Sequence, residues 1–395
     1  MKNLKDIVYV GVDDTELDLF EGQYKVPEGM SYNSYIVLDD TIAVMDAVDK
    51  SGIAQWLGNV DAALGGREPD YLVISHMEPD HSAGIAAFAA KYPSVTVVGN
   101  AKMFEMFRNF YGCDLPNKLV VKEGDTLALG EHELTFVSAP MVHWPEVTVA
   151  YEKKEKVLFS ADAFGKFGAL ANETDDWACE ARRYYFNIVG KYGAQVQSLL
   201  KKLAKFDIGT ICPLHGPVLT GDLSCYLGLY DTWSSYRAES KGTFVAYAGV
   251  YGNTRQAALA LAEELESRGE KTVVTDLARC DLAEALEDAF RYDKAVFAAT
   301  TLDGGIFPVM EEFIRHLKAK NYQNRKVGII ENGSWAPMSG KLMRALLAEQ
   351  KDVRIADTVI TCRSGVPDNI REQCAALADE LLAQEGQADP ADPAA

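Results

Sequence analysis

His76, Glu78, Asp80 and His81 fall within the short segment Ser75-His-Met-Glu-Pro-Asp-His-Ser-Ala-Gly84, a run that sets two histidines and two carboxylates within six positions. Three more candidates stand alone in the sequence. They are His143 in Ala139-Pro-Met-Val-His-Trp144, Asp162 in Phe159-Ser-Ala-Asp-Ala163 and His215 in Ile211-Cys-Pro-Leu-His-Gly216. Four imidazoles and three carboxylates suit two metal ions that share one bridging group and keep positions open for a substrate. The charges agree: two divalent cations are nearly balanced by Glu78, Asp80 and Asp162, and a bridging hydroxide completes the balance.

A second cluster, Ala248-Gly-Val-Tyr-Gly-Asn-Thr254, joins an apolar run to a helical pattern. Gly249 and Gly252 let backbone N–H groups converge, with Val250, Tyr251, Asn253 and Thr254 between and after them, and a helix N-terminus favours an anion. The loop has no Gly-Lys-Ser/Thr, which excludes an ATP or GTP P-loop. Two more loops follow expected strands. One holds Thr300, Thr301, Leu302, Asp303, Gly304 and Gly305, and the other Asn332, Gly333, Ser334 and Trp335. These are the positions at which flavodoxins wrap an isoalloxazine ring, so the resemblance points to FMN. Flavodoxin phosphate loops usually carry Ser or Thr where Gly249 stands, so one side-chain donor is missing. Trp335 stacks near the flavin or packs in the core.

The elements that must position these groups are legible as periodicities. Tyr71-Leu-Val-Ile reads as a buried strand and the pattern after Gly84 as a helix, so the four clustered ligands lie on a strand-to-helix loop. Pro79 stiffens it and biases Glu78 away from helical geometry. His143, Asp162 and His215 each sit just beyond an apolar strand, which puts them at one edge of the sheets. Residues 1 to about 160 read as strands, 7–12 among them, with short helices. Residues 176–206 read as helical, 208–212 as a strand and 222–239 as a helix, an order that implies sheets packed face to face with helices outside. From about Ser240 the pattern becomes a βα alternation, with strands at 243–248, 271–275, 295–299 and 327–331. That is a doubly wound parallel sheet with ligands at the carboxyl ends of its strands. The expected domains are 1–241 and 242–385, with 386–395 a polar, disordered tail. His132, His316 and Arg255 are expected in solvent. Trp144 is expected as core beside a strand end, with shielding of the metals as the other role.

The net charge of −19 repels nucleic acid and anionic lipid. Seven scattered cysteines without a C-x-x-C pair argue for a reducing compartment and against a rubredoxin-like, iron–sulfur or zinc-ribbon module in this chain. No apolar core precedes Asp13 and no stretch nears the roughly 20 apolar residues of a membrane helix, so a cytoplasmic protein is expected.

The order H-x-E-x-D-H at 76–81, then His143, Asp162 and His215, resembles the metallo-β-lactamase-like domain of the flavodiiron proteins, or A-type flavoproteins. The resemblance continues through Tyr32-Asn-Ser-Tyr35, Glu180-Ala-Arg-Arg-Tyr-Tyr185 and the flavodoxin-like half, sparing only the tail. It implies an α/β chain with an N-terminal αββα metallo-β-lactamase-like sandwich and a C-terminal flavodoxin-like doubly wound parallel sheet. By the same resemblance His76, Glu78 and His143 hold one iron, Asp80, His81 and His215 the other, and Asp162 bridges them. Electrons from a separate donor, a rubredoxin-like protein or a reduced deazaflavin, pass through FMN to the diiron centre. That centre reduces dioxygen to water, nitric oxide to nitrous oxide, or both, in a head-to-tail homodimer. Zinc hydrolases on this fold carry histidine at the position of Glu78, and a carboxylate there favours a harder, redox-capable metal. The alternatives are a dinuclear zinc hydrolase fused to a flavodoxin and an electron carrier whose first domain is a docking scaffold.

Overall fold

The computed structural model describes residues 4–172 and 176–383. Its contacts divide the chain into two units, which part between Ser235 and Tyr236. In the first, apolar alternation builds two six-stranded sheets. One is ordered Ile7–Tyr9, Tyr35–Val37, Ala43–Met45, Tyr71–Val73, Thr96–Gly99, Lys118–Val120. The other is ordered Thr126–Ala128, Glu133–Ser138, Thr148–Glu152, Val157–Phe159, Thr210–Cys212, Leu219–Thr220. Tyr35, Met45, Val73 and Val98 of the first meet Leu134, Phe136, Ala150 and Phe159 of the second in one buried cluster. Helices cover the outside. Trp56 of Ile53–Leu64 is fully buried, donates from Nε1 to Ser34 Oγ at 3.0 Å and packs 5.1 Å from the ring of Phe88.

Four local readings change. The strand expected over 7–12 is two strands, Ile7–Tyr9 and Val12–Asp14, which pair with different partners. The break falls at Gly11, where a Cβ would lie 2.5 Å from the Tyr32 carbonyl oxygen, so the chain turns where only glycine fits. A small hairpin, Leu19–Phe20 with Tyr24–Lys25, was not anticipated. Its turn puts Glu21 and Gly22 at φ 49 and 68, the backbone usually announced by Asn-Gly. The helical stretch 176–206 resolves into Trp177–Tyr184, a π-helical segment Tyr185–Val189, a 3₁₀ turn Gly190–Tyr192 and Gly193–Leu203. The next helix ends at Ser234, short of 239.

The second unit is a parallel sheet ordered Thr272–Asp276, Ser240–Ala248, Tyr292–Leu302, Arg325–Asn332, Val353–Cys362. Counted along the chain this is 2-1-3-4-5, the flavodoxin-type order, with its ligand crevice where the winding reverses between strands one and three. Asn253–Ser267 and Ile370–Leu382 cover one face, packing Leu261, Leu265, Leu377 and Leu381 on Val245, Val296 and Ile330. Phe313 of Pro308–Ala319 covers the other, 6.2 Å from the rings of Phe244 and Phe297. The fifth strand escaped the sequence reading because it is an edge strand interrupted by Arg354, Asp357 and Thr358, with a register shift opposite Val327 and Ile329. Among the described residues no helix is long and apolar enough to cross a membrane. The segment 386–395 lies outside the described residues.

Candidate functional site

All seven candidate ligands arrive beyond the carboxyl ends of strands from both sheets. His76 and Glu78 follow Tyr71–Val73, and Pro79 opens the helical turn Pro79–Ser82 that carries Asp80 and His81. Glu78 itself is extended, at ψ 140, as a residue before proline should be. His143 follows Glu133–Ser138, Asp162 follows Val157–Phe159, and His215 follows Thr210–Cys212.

The side chains sort into two groups about Asp162. Glu78 Oε2 lies 3.2 Å from His76 Nε2 and 3.0 Å from His143 Nε2. Asp162 Oδ2 lies 3.4 and 3.1 Å from the same two nitrogens. On the other side, Asp80 Oδ2 is 3.2 Å from His81 Nε2 and 3.3 Å from His215 Nε2, and Asp162 Oδ1 is 3.3 and 3.9 Å from them. The Nε2 atoms of His81 and His215 point at one another across 3.0 Å. Both carboxylate oxygens of Asp80 and of Asp162 are buried without a hydrogen-bond partner. Buried anionic oxygens without donors are costly unless a cation faces them, so this donor set fits two metal ions.

The electrostatics point the same way. Burial raises the Asp80 carboxyl to about 7, helped by the charges of Glu78 and Asp162. Burial opposes ionisation of Asp162 too, but His76, His143 and His81 outweigh it and hold the group well below the ordinary carboxylate range. Burial also opposes charge on His143, yet Asp162 and Glu78 lift it to about 9. His215 is pushed down by burial. The site is a crowd of like and unlike charges that divalent cations would neutralise.

Sequence reasoning missed the residues that aim these ligands. Glu146 Oε1 accepts from the Met77 backbone N–H and sits 2.8 Å from His76 Nδ1, which leaves His76 Nε2 for the site. The Ser31 carbonyl oxygen accepts from His215 Nδ1 at 2.7 Å and does the same for that ring. Such partners fix tautomer and ring orientation. The available signal for Glu146 was its place in His143-Trp-Pro-Glu146; Ser31 carried none, because it acts through its backbone. Asp46 accepts from both Ser75 N–H and Ser75 Oγ at 2.6 Å, pinning the start of the ligand loop. Glu21, at the hairpin turn, is raised to about 7 by burial and by the neighbouring Glu78.

Aromatic rings wall the site. Phe20 and Tyr184 each lie 5.5 Å from His215 and Tyr32 lies 6.0 Å away. Trp144 meets His76 edge-on at 5.2 Å, so it belongs to the site wall rather than to the core. The expectation for His132 is corrected: it is fully buried, with Nδ1 2.9 Å from Glu152 Oε1 and Nε2 3.2 Å from Lys154 Nζ. Its partners belong to the adjacent strand and the turn that follows, which local sequence does not reveal. His316 is half-buried rather than solvated, while Arg255 is exposed.

In the second unit a cavity of about 420 Å³ opens at the carboxyl ends of the central strands. It gathers Val250, Tyr251, Asn253 and Thr254 with Thr300 to Gly304 and Asn332 to Trp335. Ser364, from a fourth loop, joins them unanticipated, its Oγ donating to Ser334 Oγ at 2.8 Å. Gly249, Gly252 and Gly305 do not line it: Gly252 caps the helix at φ 87 and Gly305 starts the two-residue strand Gly305–Ile306. Tyr251 and Trp335 stand 91% and 89% exposed at its rim, so core packing does not account for Trp335. A planar apolar ligand between two rings, its anionic end at the N-terminus of Asn253–Ser267, fits this cleft.

Comparison with known proteins agrees with both halves. Residues 30–216 match the ODP family beta lactamase and residues 244–357 match a flavodoxin domain. The protein class is thus a β-lactamase-like domain followed by a flavodoxin domain. The anaerobic nitric oxide reductase flavorubredoxin of Escherichia coli O1:K1 is 27% identical over 344 residues, 84% of this chain and 71% of that one. The solved flavodiiron protein of Giardia intestinalis superposes with a TM-score of 0.90 at 26% identity, covering 96% of this chain and 95% of its own. The rubredoxin oxygen:oxidoreductase of Desulfovibrio gigas gives the same TM-score at 24% identity, over 96% and 97% of the two chains, and speaks to the fold. The relatives and solved neighbours that this chain matches along nearly its whole length are flavodiiron proteins.

Proposed function

We propose that this chain is a flavodiiron oxidoreductase that takes electrons from a separate donor at FMN and delivers them to a diiron centre reducing dioxygen to water, nitric oxide to nitrous oxide, or both. Asp162 carries the reading: its two unpartnered oxygens each face one set of histidine and carboxylate donors, in a chain that also holds a flavin-type cleft. His76, Glu78 and His143 would hold one iron, and Asp80, His81 and His215 the other. Bound there, the irons supply Lewis acidity and redox capacity, and FMN stores two further electrons.

The chain's own part is positioning. Glu146 and the Ser31 carbonyl orient His76 and His215, while Phe20, Tyr32, Tyr184 and Trp144 keep bulk water from the ligands. A diatomic gas asks for no larger recognition surface, and the aromatic walls give it an apolar approach. Relatives are named for rubredoxin and nitric oxide, which supports a rubredoxin-like donor; a reduced deazaflavin is the small-molecule counterpart. We further propose a head-to-tail homodimer in which the FMN of one subunit serves the irons of its partner, in the reducing cytoplasm.

The test is metal and flavin content after anaerobic purification, followed by rapid mixing of the reduced protein with each gas. About two irons and about one FMN per chain with fast reoxidation is the expected result, and the faster gas names the substrate. Redox-inert zinc in protein made with iron available would overturn the reading in favour of a hydrolase.

A further inference from the structure

Gly249 removes a side chain from the phosphate loop, and the neighbouring strand supplies one in its place. In the parallel register Ala248 pairs with Ala299 and Thr300 pairs with Asn332. One residue past the Ala248–Ala299 pair, Gly249 therefore stands beside Thr300, which pairs with Asn332, so the three line up across the carboxyl ends of three adjacent strands. Thr300 Oγ1 leans into the space over Gly249: a Cβ built on Gly249 would lie 2.9 Å from it, and 3.1 Å from both Cβ and Oγ1 of Thr254. Thr300 Oγ1 and Thr254 Oγ1 are hydrogen-bonded at 2.8 Å, and Asn332 Nδ2 donates to Thr254 Oγ1 at 3.4 Å. Thr254 is buried, at the first turn of the helix Asn253–Ser267, and Thr254, Thr300 and Asn332 all line the cavity.

We propose that Thr300 supplies the hydroxyl that Gly249 lacks, so that Gly249 and Thr300 form an exchanged pair for holding the flavin phosphate. This rests on the FMN reading of the cleft. A phosphate dianion only accepts, so every group that serves it must donate. Each threonine hydroxyl has one proton and can accept from a neighbour while donating onward. With Asn332 donating to Thr254, the Thr254 hydroxyl passes its own proton into the 2.8 Å bond to Thr300, and the Thr300 proton is left for the anion. Gly249 is required by this arrangement, because a serine there needs the volume that the Thr300 hydroxyl occupies. Gly249 is thus no weakness in the loop, and restoring a hydroxyl at 249 alone is harmful.

The experiment is a double-mutant cycle on the full chain, stripped of flavin and titrated with FMN and separately with riboflavin by fluorescence quenching. Thr300→Val keeps the shape and removes the hydroxyl. It is expected to weaken FMN about tenfold, the loss of one hydrogen bond to a charged group, and to leave riboflavin unchanged. Thr300→Ser should keep FMN affinity within about threefold, which shows that the hydroxyl and not the packing is read. Gly249→Ser alone should weaken FMN, and Gly249→Ser with Thr300→Ala should recover most of the loss. Equal losses for FMN and riboflavin in Thr300→Val, or tighter FMN binding by Gly249→Ser with Thr300 in place, would overturn the exchange. A wild-type chain that takes up neither flavin would instead overturn the flavin reading beneath it. Circular dichroism of each variant separates misfolding from lost affinity, and Thr300→Ser keeps the test decisive if Thr300→Val does not fold.

Discussion

Glu78 and Glu146 meet His76 from opposite ends of its ring, and the difference can be measured. Glu78 reaches into the donor set, with Oε2 within 3.2 Å of His76 Nε2 and 3.0 Å of His143 Nε2, and its carboxylate favours a hard metal. Glu78→His should keep a dinuclear site but shift its content from iron towards zinc in protein grown with both, read by elemental analysis; an unchanged ratio would remove Glu78 as the selector. Glu146 instead holds the far nitrogen of His76, both side chains being fully buried. Glu146→Gln keeps an acceptor and loses the charge, so metal affinity should fall about 10- to 100-fold while FMN content stays constant. Competition with a chelator reads the first and flavin absorbance the second. Unaltered metal retention would leave Glu146 as packing only.

At the scale of elements, the ligand loop is tied to the strand Ala43–Met45 through Asp46, which receives two hydrogen bonds from Ser75. Burial raises the Asp46 carboxyl from 3.8 to about 6 despite those bonds. Between those pH values the folded, metal-free chain keeps a proton that the unfolded chain has released, so stability falls as pH rises from about 4 to about 6 and is level above. Two pH units correspond to about 3 kcal/mol. Asp46→Asn cannot ionise and retains an acceptor for the Ser75 N–H. Its stability relative to wild type should therefore improve by up to about 3 kcal/mol between pH 4 and pH 7, measured by urea unfolding of the metal-free proteins. A difference independent of pH would show that Asp46 is already charged throughout.

At the scale of the whole molecule, the proposed head-to-tail dimer makes a prediction that one chain acting alone cannot meet. Asp162→Asn should lose the metals, and Thr254→Val with Asn332→Ala should lose the flavin. Each homodimer is then inactive. After subunit exchange, half of the dimers are mixed, and each has one working pairing, so about a quarter of wild-type activity should return. No recovery would place electron transfer within one chain. The sequence by itself determined the two-part fold and the class of chemistry, because the run of candidate ligands at 76–81, the Gly-rich turn and the strand and helix periods are short-range features that adjacent residues can announce. It also announced the place of the isolated candidates, since His143, Asp162 and His215 each follow an apolar strand. Only the tertiary structure decided what crosses long distances along the chain. His81 faces His215 from 134 residues away and Ser31 holds His215 from 184. The sorting of donors on the two sides of Asp162, the aiming of His76 by Glu146, the burial of His132 and the entry of Thr300 over Gly249 are of the same kind. Each depends on strand register and sheet packing, which place side chains to within an ångström and leave no periodic mark in the sequence.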